Sequence, residues 1–121
     1  MSLLKLLITQ DDPVAVYILK AAFSQYQPLF FDDAAITTKN IKSDSFDLLI
    51  ADVTEPGGDR LLREAASKDI HCVVYTSADQ IGESLCQSVD ADAVFYKCQP
   101  IKLLTDYIDK VASCASEKSV G

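Results

Sequence analysis

Apolar and polar residues follow two alternating patterns along the chain, one typical of buried strands and one typical of amphipathic helices. Short apolar runs occur at five places, and turn-forming or helix-starting residues follow each of them. The third run ends in a charged residue, Asp52, which is typical of a central parallel strand that is buried on both faces. We therefore predict five strands, over residues 4–9, 28–31, 46–53, 70–75 and 93–96.

Helical patterns separate these strands. Asp12 followed by Pro13 predicts a helix start, because an aspartate side chain caps the free N–H groups and proline suits the first helical turn. The apolar spacing carries this first helix to Phe23. The remaining elements are a weaker helix over residues 35–42, a helix capped by Asp59, a helix around Ile81 and Leu85, a helix from Ile101 to Val111, and a polar tail over 113–121.

Five such strand–helix units in 121 residues predict one α/β domain that covers residues 1–121. The expected architecture is a five-stranded parallel sheet, doubly wound, with helices on both faces in three α/β/α layers. In such sheets the ligand site lies beyond the carboxyl ends of the strands, near the point where the strand order reverses. The fold class thus indicates which residues to examine.

Composition and charge narrow the classes of function. The chain is 49% apolar and carries a formal net charge of −7, which argues against nucleic acid or an anionic membrane as direct partners. No apolar run approaches the roughly 20 residues that span a bilayer, and the first residues lack a secretory signal. The four cysteines have no C-x-x-C spacing of a zinc site, which agrees with reduced thiols. We expect a cytoplasmic protein.

Polar residues stand where the strands end. The first strand runs into Gln10–Asp12, the third into Asp52, the fourth into Thr76 and the fifth into Lys97. Carboxylates brought together repel one another unless a cation lies between them, and a hard ion with oxygen ligands such as Mg²⁺ is the simplest solution. A hydroxyl and an amine nearby suit a phosphoryl group, whose transfer needs mainly positioning and charge neutralisation.

The segments that contain these residues resemble the receiver domains of two-component response regulators, over essentially the whole chain. The intervals between Asp11, Asp52, Thr76 and Lys97 are 41, 24 and 21 residues, and four motifs in this order are a specific signal. The resemblance implies a flavodoxin-like (βα)5 fold. The matching segments are residues 6–13, 46–59, 73–77 and 91–97.

The resemblance also implies a role for each residue. Asp52 would accept a phosphoryl group from a histidine kinase or a histidine phosphotransfer protein, and Asp11 and Asp52 would hold Mg²⁺ with the backbone carbonyl of Thr54. The Thr76 hydroxyl would bind a phosphoryl oxygen and move with it. Lys97 would pair first with Asp52 and then with the phosphoryl group. A downstream effector protein or domain would bind the surface formed by the last two predicted helices and the fifth strand.

Several residues depart from the family pattern. Gln10 stands where a second acid is usual; its amide could still bind a metal-bound water, but it adds no charge, so weaker Mg²⁺ binding is predicted. Cys98 stands where the family usually has a cis-proline, and since a non-proline cis bond costs about 2.5–4 kcal/mol, a trans bond or a rearranged loop is predicted. Val94 replaces a frequent aromatic residue, Arg60 a usual glycine, and Glu55 adds a carboxylate beside the site.

These departures support a second interpretation, a degenerate receiver that binds partner proteins without being phosphorylated. An enzyme on the same architecture is a third. A flavin phosphate needs a glycine- and hydroxyl-rich loop where this chain has Gln10–Pro13, and an aspartate-dependent phosphatase usually has an acid where Thr54 stands. We therefore expect a signalling domain rather than an enzyme.

The first helix is apolar nearly all round, since Lys20 is its only charged residue between Val14 and Phe23. Such a helix is either deeply buried or exposes a contact surface. The resemblance favours a docking surface for the phosphodonor. Self-association into a homodimer is the alternative.

Overall fold

The structure, a computed structural model, describes residues 4–31, 46–54, 56–77, 89 and 91–120, and for 115–120 it describes the backbone. Five parallel strands form one sheet in the order β2-β1-β3-β4-β5, as the sequence predicts. The strand order reverses at β1, which has β2 on one side and β3 on the other. The strands are β1 (Leu6–Thr9), β2 (Leu29–Phe31), β3 (Leu48–Ala51), β4 (His71–Thr76) and β5 (Ala93–Tyr96).

The helices in the described residues cover both faces of the sheet. They are α1 (Pro13–Ala22), α2 (Gly58–Ser67) and α3 (Ile101–Val120), and a short 3-10 turn, Ser24–Tyr26, follows α1. Residues of α2 pack on one face, whereas residues of α1 and α3 pack on the other. The three-layer α/β/α prediction is therefore confirmed, while the helices predicted over 35–42 and around Ile81 and Leu85 lie outside the described residues.

The strands supply both cores because successive side chains point to opposite faces. On β3, for example, Leu49 faces α2, whereas Leu48 and Ile50 face α1 and α3. All four residues of β3 are buried, as expected for a central strand. The sheet thus forms a rigid base from which the residues after each strand project.

Several element bounds differ from the sequence prediction, mostly by one or two residues at the ends of strands. The first residue of α2 is Gly58 and its N-cap is Gly57, so Asp59 lies inside the first turn and pairs with Arg63 rather than capping the helix. The last helix continues to Val120 instead of ending before a tail at 113, because no glycine or proline interrupts residues 101–120. Strand β4 extends to Thr76, one residue beyond the predicted end.

The first helix begins as predicted: the Asp12 carboxylate accepts a hydrogen bond from the backbone N–H of Val14 at 3.1 Å, and Pro13 follows. Its inner side is buried, but Val14 is 67% exposed and Tyr17 is 78% exposed. Ile18 is also exposed, so α1 presents an apolar strip to solvent.

No helix in the part of the chain that the structure describes combines the length and the apolar character needed to cross a bilayer.

The peptide bond between Lys97 and Cys98 is trans, as predicted.

The turn between β3 and α2 depends on two glycines. Gly57 has a φ of 82°, a left-handed conformation that residues with a Cβ rarely adopt. Gly58 is buried, and a Cβ built there would lie 2.0 Å from the backbone oxygen of Asp52. The start of α2 therefore packs directly against the peptide that follows β3.

We predict that Gly58→Ala lowers the free energy of unfolding by about 1–3 kcal/mol, since the added methyl group meets backbone that cannot rotate away. Arg60→Ala, at an exposed position two residues further along α2, is the matched control and should change stability by less than about 0.5 kcal/mol. Urea unfolding followed by circular dichroism measures both. Equal stability of Gly58→Ala and the parent chain would contradict the close packing.

Candidate functional site

Four polar side chains meet at the carboxyl edge of the sheet, around the point where the strand order reverses. Gln10 follows β1 and Asp52 follows β3, and these two strands are neighbours at the point where the strand order reverses. Thr76 ends β4, and Lys97 follows β5, where its backbone N–H donates to the Thr76 carbonyl at 2.8 Å. Each residue thus takes its position from a strand end.

Asp52 is the centre of the hydrogen-bond network, and its residue is only 4% exposed. Its Oδ1 accepts three hydrogen bonds: from the Thr76 hydroxyl at 2.7 Å, from the Thr54 hydroxyl at 2.7 Å and from the Thr54 backbone N–H at 2.9 Å. Its Oδ2 accepts one from the Lys97 ammonium at 2.9 Å. The two oxygens of this carboxylate therefore have different environments.

Lys97 joins the carboxylate to two residues that follow β1. Its Nζ donates to Gln10 Oε1 at 3.2 Å and lies 3.7 Å from Asp12 Oδ2. The Lys97 side chain is one-fifth exposed, whereas Gln10 is buried. The ammonium is consequently the positive centre of the site.

These contacts keep Asp52 ionised. Burial alone raises the pKa of a carboxyl group, but the hydrogen bonds from Thr76, Thr54 and Lys97 outweigh it, and the pKa of Asp52 is lowered from its ordinary value. A charged carboxylate at neutral pH has the lone pairs that a nucleophile needs.

The structure brings some of the predicted site residues into contact and leaves others without such a contact. Asp52, Thr76 and Lys97 form one network, as predicted. Asp11 is exposed and makes no hydrogen bond within the described residues. Thr54 contacts Asp52 through its N–H and hydroxyl, while the metal-binding role of its carbonyl stays a prediction.

Carboxylate oxygens follow β1 and β3 at this edge, and oxygens of this kind are the ligands that Mg²⁺ takes. Magnesium is commonly bound by one or two carboxylates and keeps several waters, and Asp11 and Asp52 offer that set. The Asp11 carboxylate is not engaged elsewhere in the described residues. Within those residues, no three His, Cys, Asp or Glu side chains cluster as a closed metal cage.

Gln10 has a contact that the motifs did not predict. The sequence predicts that Gln10 replaces an acid and could bind a metal-bound water, whereas its amide oxygen accepts a hydrogen bond from Lys97. The two residues are 87 positions apart, so no local pattern relates them. The prediction of a parallel sheet placed Gln10 and Lys97 at the same edge, but it did not indicate that their side chains are in contact.

The aromatic residue beside Thr76 lies on the other face of β4. Tyr75 is buried against the α1–α3 side, and burial raises the pKa of its phenol; nearby Lys97 opposes this shift and nearby Asp12 adds to it. Val94 packs on the α2 side, and Phe95 contacts the Tyr107 ring at 5.3 Å between centroids.

No family model matches the chain, and no curated protein matches its sequence. Solved structures do match its fold. The signal receiver domain of a putative Luxo repressor protein from Vibrio parahaemolyticus has a TM-score of 0.78 and 16% identity, over 98% of this chain and 97% of that one. A CheY-like response regulator receiver domain protein from Methanospirillum hungatei has a TM-score of 0.75 and 21% identity, over 97% and 99%.

A third similar structure is the N-terminal domain of an uncharacterized protein from Wolinella succinogenes, with a TM-score of 0.79 and 19% identity over 97% of this chain and 99% of that one. The chain therefore has the fold of CheY-like receiver domains, as the resemblance implied.

We predict that the folded chain loses stability as the pH falls below about 4, the ordinary carboxyl range. Because the pKa of Asp52 is lowered in the folded state, its contribution is complete above the unfolded-state pKa and is lost as the pH falls through the folded-state pKa. Asp52→Asn should lack this part of the pH dependence. Urea unfolding from neutral pH to about 2 measures the difference between the two proteins.

Asp59→Asn removes a carboxylate from a surface pair with Arg63 and is the matched control, because such pairs contribute little. It should keep most of the acid dependence. A parallel pH profile for the parent and Asp52→Asn proteins would be evidence against the stabilised carboxylate.

Proposed function

We propose that this chain is a receiver domain of a two-component phosphorelay, which accepts a phosphoryl group on Asp52 with the help of Mg²⁺ and thereby changes a partner-binding surface. The observation that carries the proposal is the buried Asp52 carboxylate, bound by Thr76 from β4 and by Lys97 after β5. A carboxylate held by a hydroxyl and an ammonium suits the transfer of an anionic phosphoryl group from a phosphoramidate to the carboxylate oxygen.

The two oxygens of Asp52 suggest different roles. Oδ1 already has three donors, whereas Oδ2 has only Lys97 among the described residues, so Oδ2 has a lone pair for attack on phosphorus. In the transfer, a bond forms from Oδ2 to phosphorus while the bond from phosphorus to the histidine nitrogen of the donor breaks. The nitrogen keeps the electron pair, and Lys97 balances the charge that arrives at Asp52.

The new phosphoryl oxygens would then compete for the existing donors. A phosphoryl group adds about −1.5 to −2 charges and three strong acceptors. Thr76 donates to Oδ1 at 2.7 Å in the structure, so turning its hydroxyl to a phosphoryl oxygen breaks that bond and forms another. This exchange supplies the conformational signal in the proposal.

Asp11 and Asp52 would hold Mg²⁺ with the Thr54 carbonyl, and Gln10 could contribute through a bound water. When bound, the ion would neutralise the carboxylates and the incoming phosphoryl oxygens. Gln10 supplies no charge, so this site is expected to bind Mg²⁺ more weakly than one with a further acid at the same place.

The proposed partners follow from the proposed phosphoryl transfer to Asp52. A histidine kinase or histidine phosphotransfer protein would donate the phosphoryl group, and the exposed apolar strip of α1 formed by Val14, Tyr17 and Ile18 is the proposed docking surface. A downstream effector would read the result in the cytoplasm, without direct contact to nucleic acid or membrane, which the −7 charge disfavours. Pairing of two copies through the α1 strip is the alternative use of that surface.

A second candidate function has a specific observation in its favour. Asp52 accepts four hydrogen bonds from groups of the chain itself, and the neutral Gln10 lies beside Lys97. A site that satisfies itself in this way suits a degenerate receiver, which binds a partner protein without phosphorylation. Labelling with a small phosphodonor distinguishes the two functions.

We predict that incubation with phosphoramidate or acetyl phosphate and Mg²⁺ adds about 80 Da, the mass of one phosphoryl group, to the intact protein. The addition should disappear in Asp52→Asn, because that variant lacks the nucleophilic carboxylate, and persist in Asp59→Asn, whose carboxylate pairs with Arg63 on the surface. Intact-mass spectrometry reads all three proteins. Complete absence of labelling in the parent chain would reject the phosphoacceptor function and favour the degenerate receiver.

We predict that Asp11→Asn weakens Mg²⁺ binding about tenfold, because it removes the charge of a proposed ligand. Asp12→Asn is the matched control: the Asp12 side chain caps α1 through the Val14 N–H, and asparagine caps helices equally well. Isothermal titration with Mg²⁺ alone gives both affinities. A larger effect at Asp12 than at Asp11 would exchange their proposed roles.

A further inference from the structure

Gln10 occupies a buried place at the site, and the proposed phosphoryl transfer gives it at most a water-mediated role. Only 2% of the residue is exposed. Its backbone N–H donates to the Phe31 carbonyl at 3.1 Å, which continues the pairing of β1 with β2 by one residue. This hydrogen bond therefore fixes the position of the Gln10 backbone, from which the side chain extends.

The orientation of the Gln10 amide follows from its neighbours. One terminal atom of the Gln10 side chain lies 3.3 Å from the Asp12 backbone nitrogen and 3.2 Å from Lys97 Nζ. A backbone N–H and an ammonium can only donate, so the atom that faces both must be the amide oxygen. The amide is consequently held with its acceptor toward Lys97.

The Lys97 ammonium donates two hydrogen bonds and forms one longer ion pair. Asp52 Oδ2 lies at 2.9 Å, Gln10 Oε1 at 3.2 Å and Asp12 Oδ2 at 3.7 Å. A lysine side chain has four rotatable carbon–carbon bonds and loses much freedom when its end is held. Two hydrogen bonds from different strand ends define the position of the ammonium better than Asp52 alone would.

An amide and an acid at this position would act differently. A carboxylate there would compete with Asp52 for the ammonium, since both would be charged acceptors. The Gln10 amide supplies an acceptor without a second charge. The shortest contact of the ammonium thereby stays with Asp52, at 2.9 Å.

We propose that Gln10 is a positioning residue, whose amide oxygen holds the Lys97 ammonium beside Asp52 before a phosphoryl group arrives. Its effect on labelling rests on the proposed function, because it is Lys97 that meets the phosphoryl group. The contact between Gln10 and Lys97 exists in the unphosphorylated chain and is measurable without any transfer.

The test replaces the acceptor while keeping the volume of the side chain. Gln10→Met removes the amide oxygen, Gln10→Glu retains an oxygen at the same reach, and Gln99→Met is the matched control. Gln99 is exposed and its amide oxygen accepts a hydrogen bond from the Tyr96 N–H at 3.0 Å, close to Lys97 along the chain but outside the network of the site. Circular dichroism and thermal unfolding establish that each variant is folded.

The first measurement is the ¹H–¹⁵N signal of the Lys97 ammonium, which is visible only when hydrogen bonds slow the exchange of its protons with water. Its assignment comes from its loss in Lys97→Met. We expect the signal in the parent, Gln99→Met and Gln10→Glu proteins and not in folded Gln10→Met. A signal that survives in Gln10→Met, or is missing from the parent protein, overturns the proposal, and neither result depends on phosphorylation.

The second measurement is the rate of labelling by phosphoramidate. Loss of one hydrogen bond to a charged group should slow labelling of Gln10→Met about tenfold, with the rate of Gln99→Met unchanged. If the parent protein is not labelled, the proposed function fails while the ammonium signal still decides the role of Gln10. An unchanged rate in Gln10→Met, with the ammonium signal lost, would overturn the part of the proposal that concerns transfer.

Discussion

The ion pair between Asp52 and Lys97 is the interaction on which the site depends. An isolated carboxylate that is 4% exposed would be strongly disfavoured as an ion, because burial removes the water that stabilises its charge. Lys97 at 2.9 Å and the two threonines supply what water no longer does. The charge of Asp52 is therefore a property of the folded sheet, since its partners come from strand ends that are distant in sequence.

The strand order explains why these partners can meet. With β1 and β3 adjacent and β2 on the far side of β1, the segments that follow β1 and β3 diverge and leave space between them. Gln10 and Asp52 line this space, while β4 and β5 bring Thr76 and Lys97 to the same edge. The same fold is found in receiver domains at 16–21% identity, so the fold itself needs few specified residues.

Sequence patterns predicted the sheet, its three layers and the meeting of Asp52, Thr76 and Lys97, because strand ends follow from apolar runs and parallel strands share one edge. They did not predict the start of α2, since Gly57 takes a left-handed conformation and Asp59 finds Arg63 instead. The orientation of the Gln10 amide could also not be predicted from the sequence, because it depends on the side chain of a lysine 87 residues away. Side-chain direction is a tertiary property, whereas position along a strand is local.

The glycine at the start of α2 gives the site a mechanical link. A Cβ at Gly58 would lie 2.0 Å from the Asp52 carbonyl oxygen, so that oxygen and the first turn of α2 are separated by little more than contact distance. A displacement of the peptide that carries Asp52 would therefore push on the helix directly, without passing through a flexible side chain. The start of α2 is thus in direct backbone contact with the residue that carries the central carboxylate of the site.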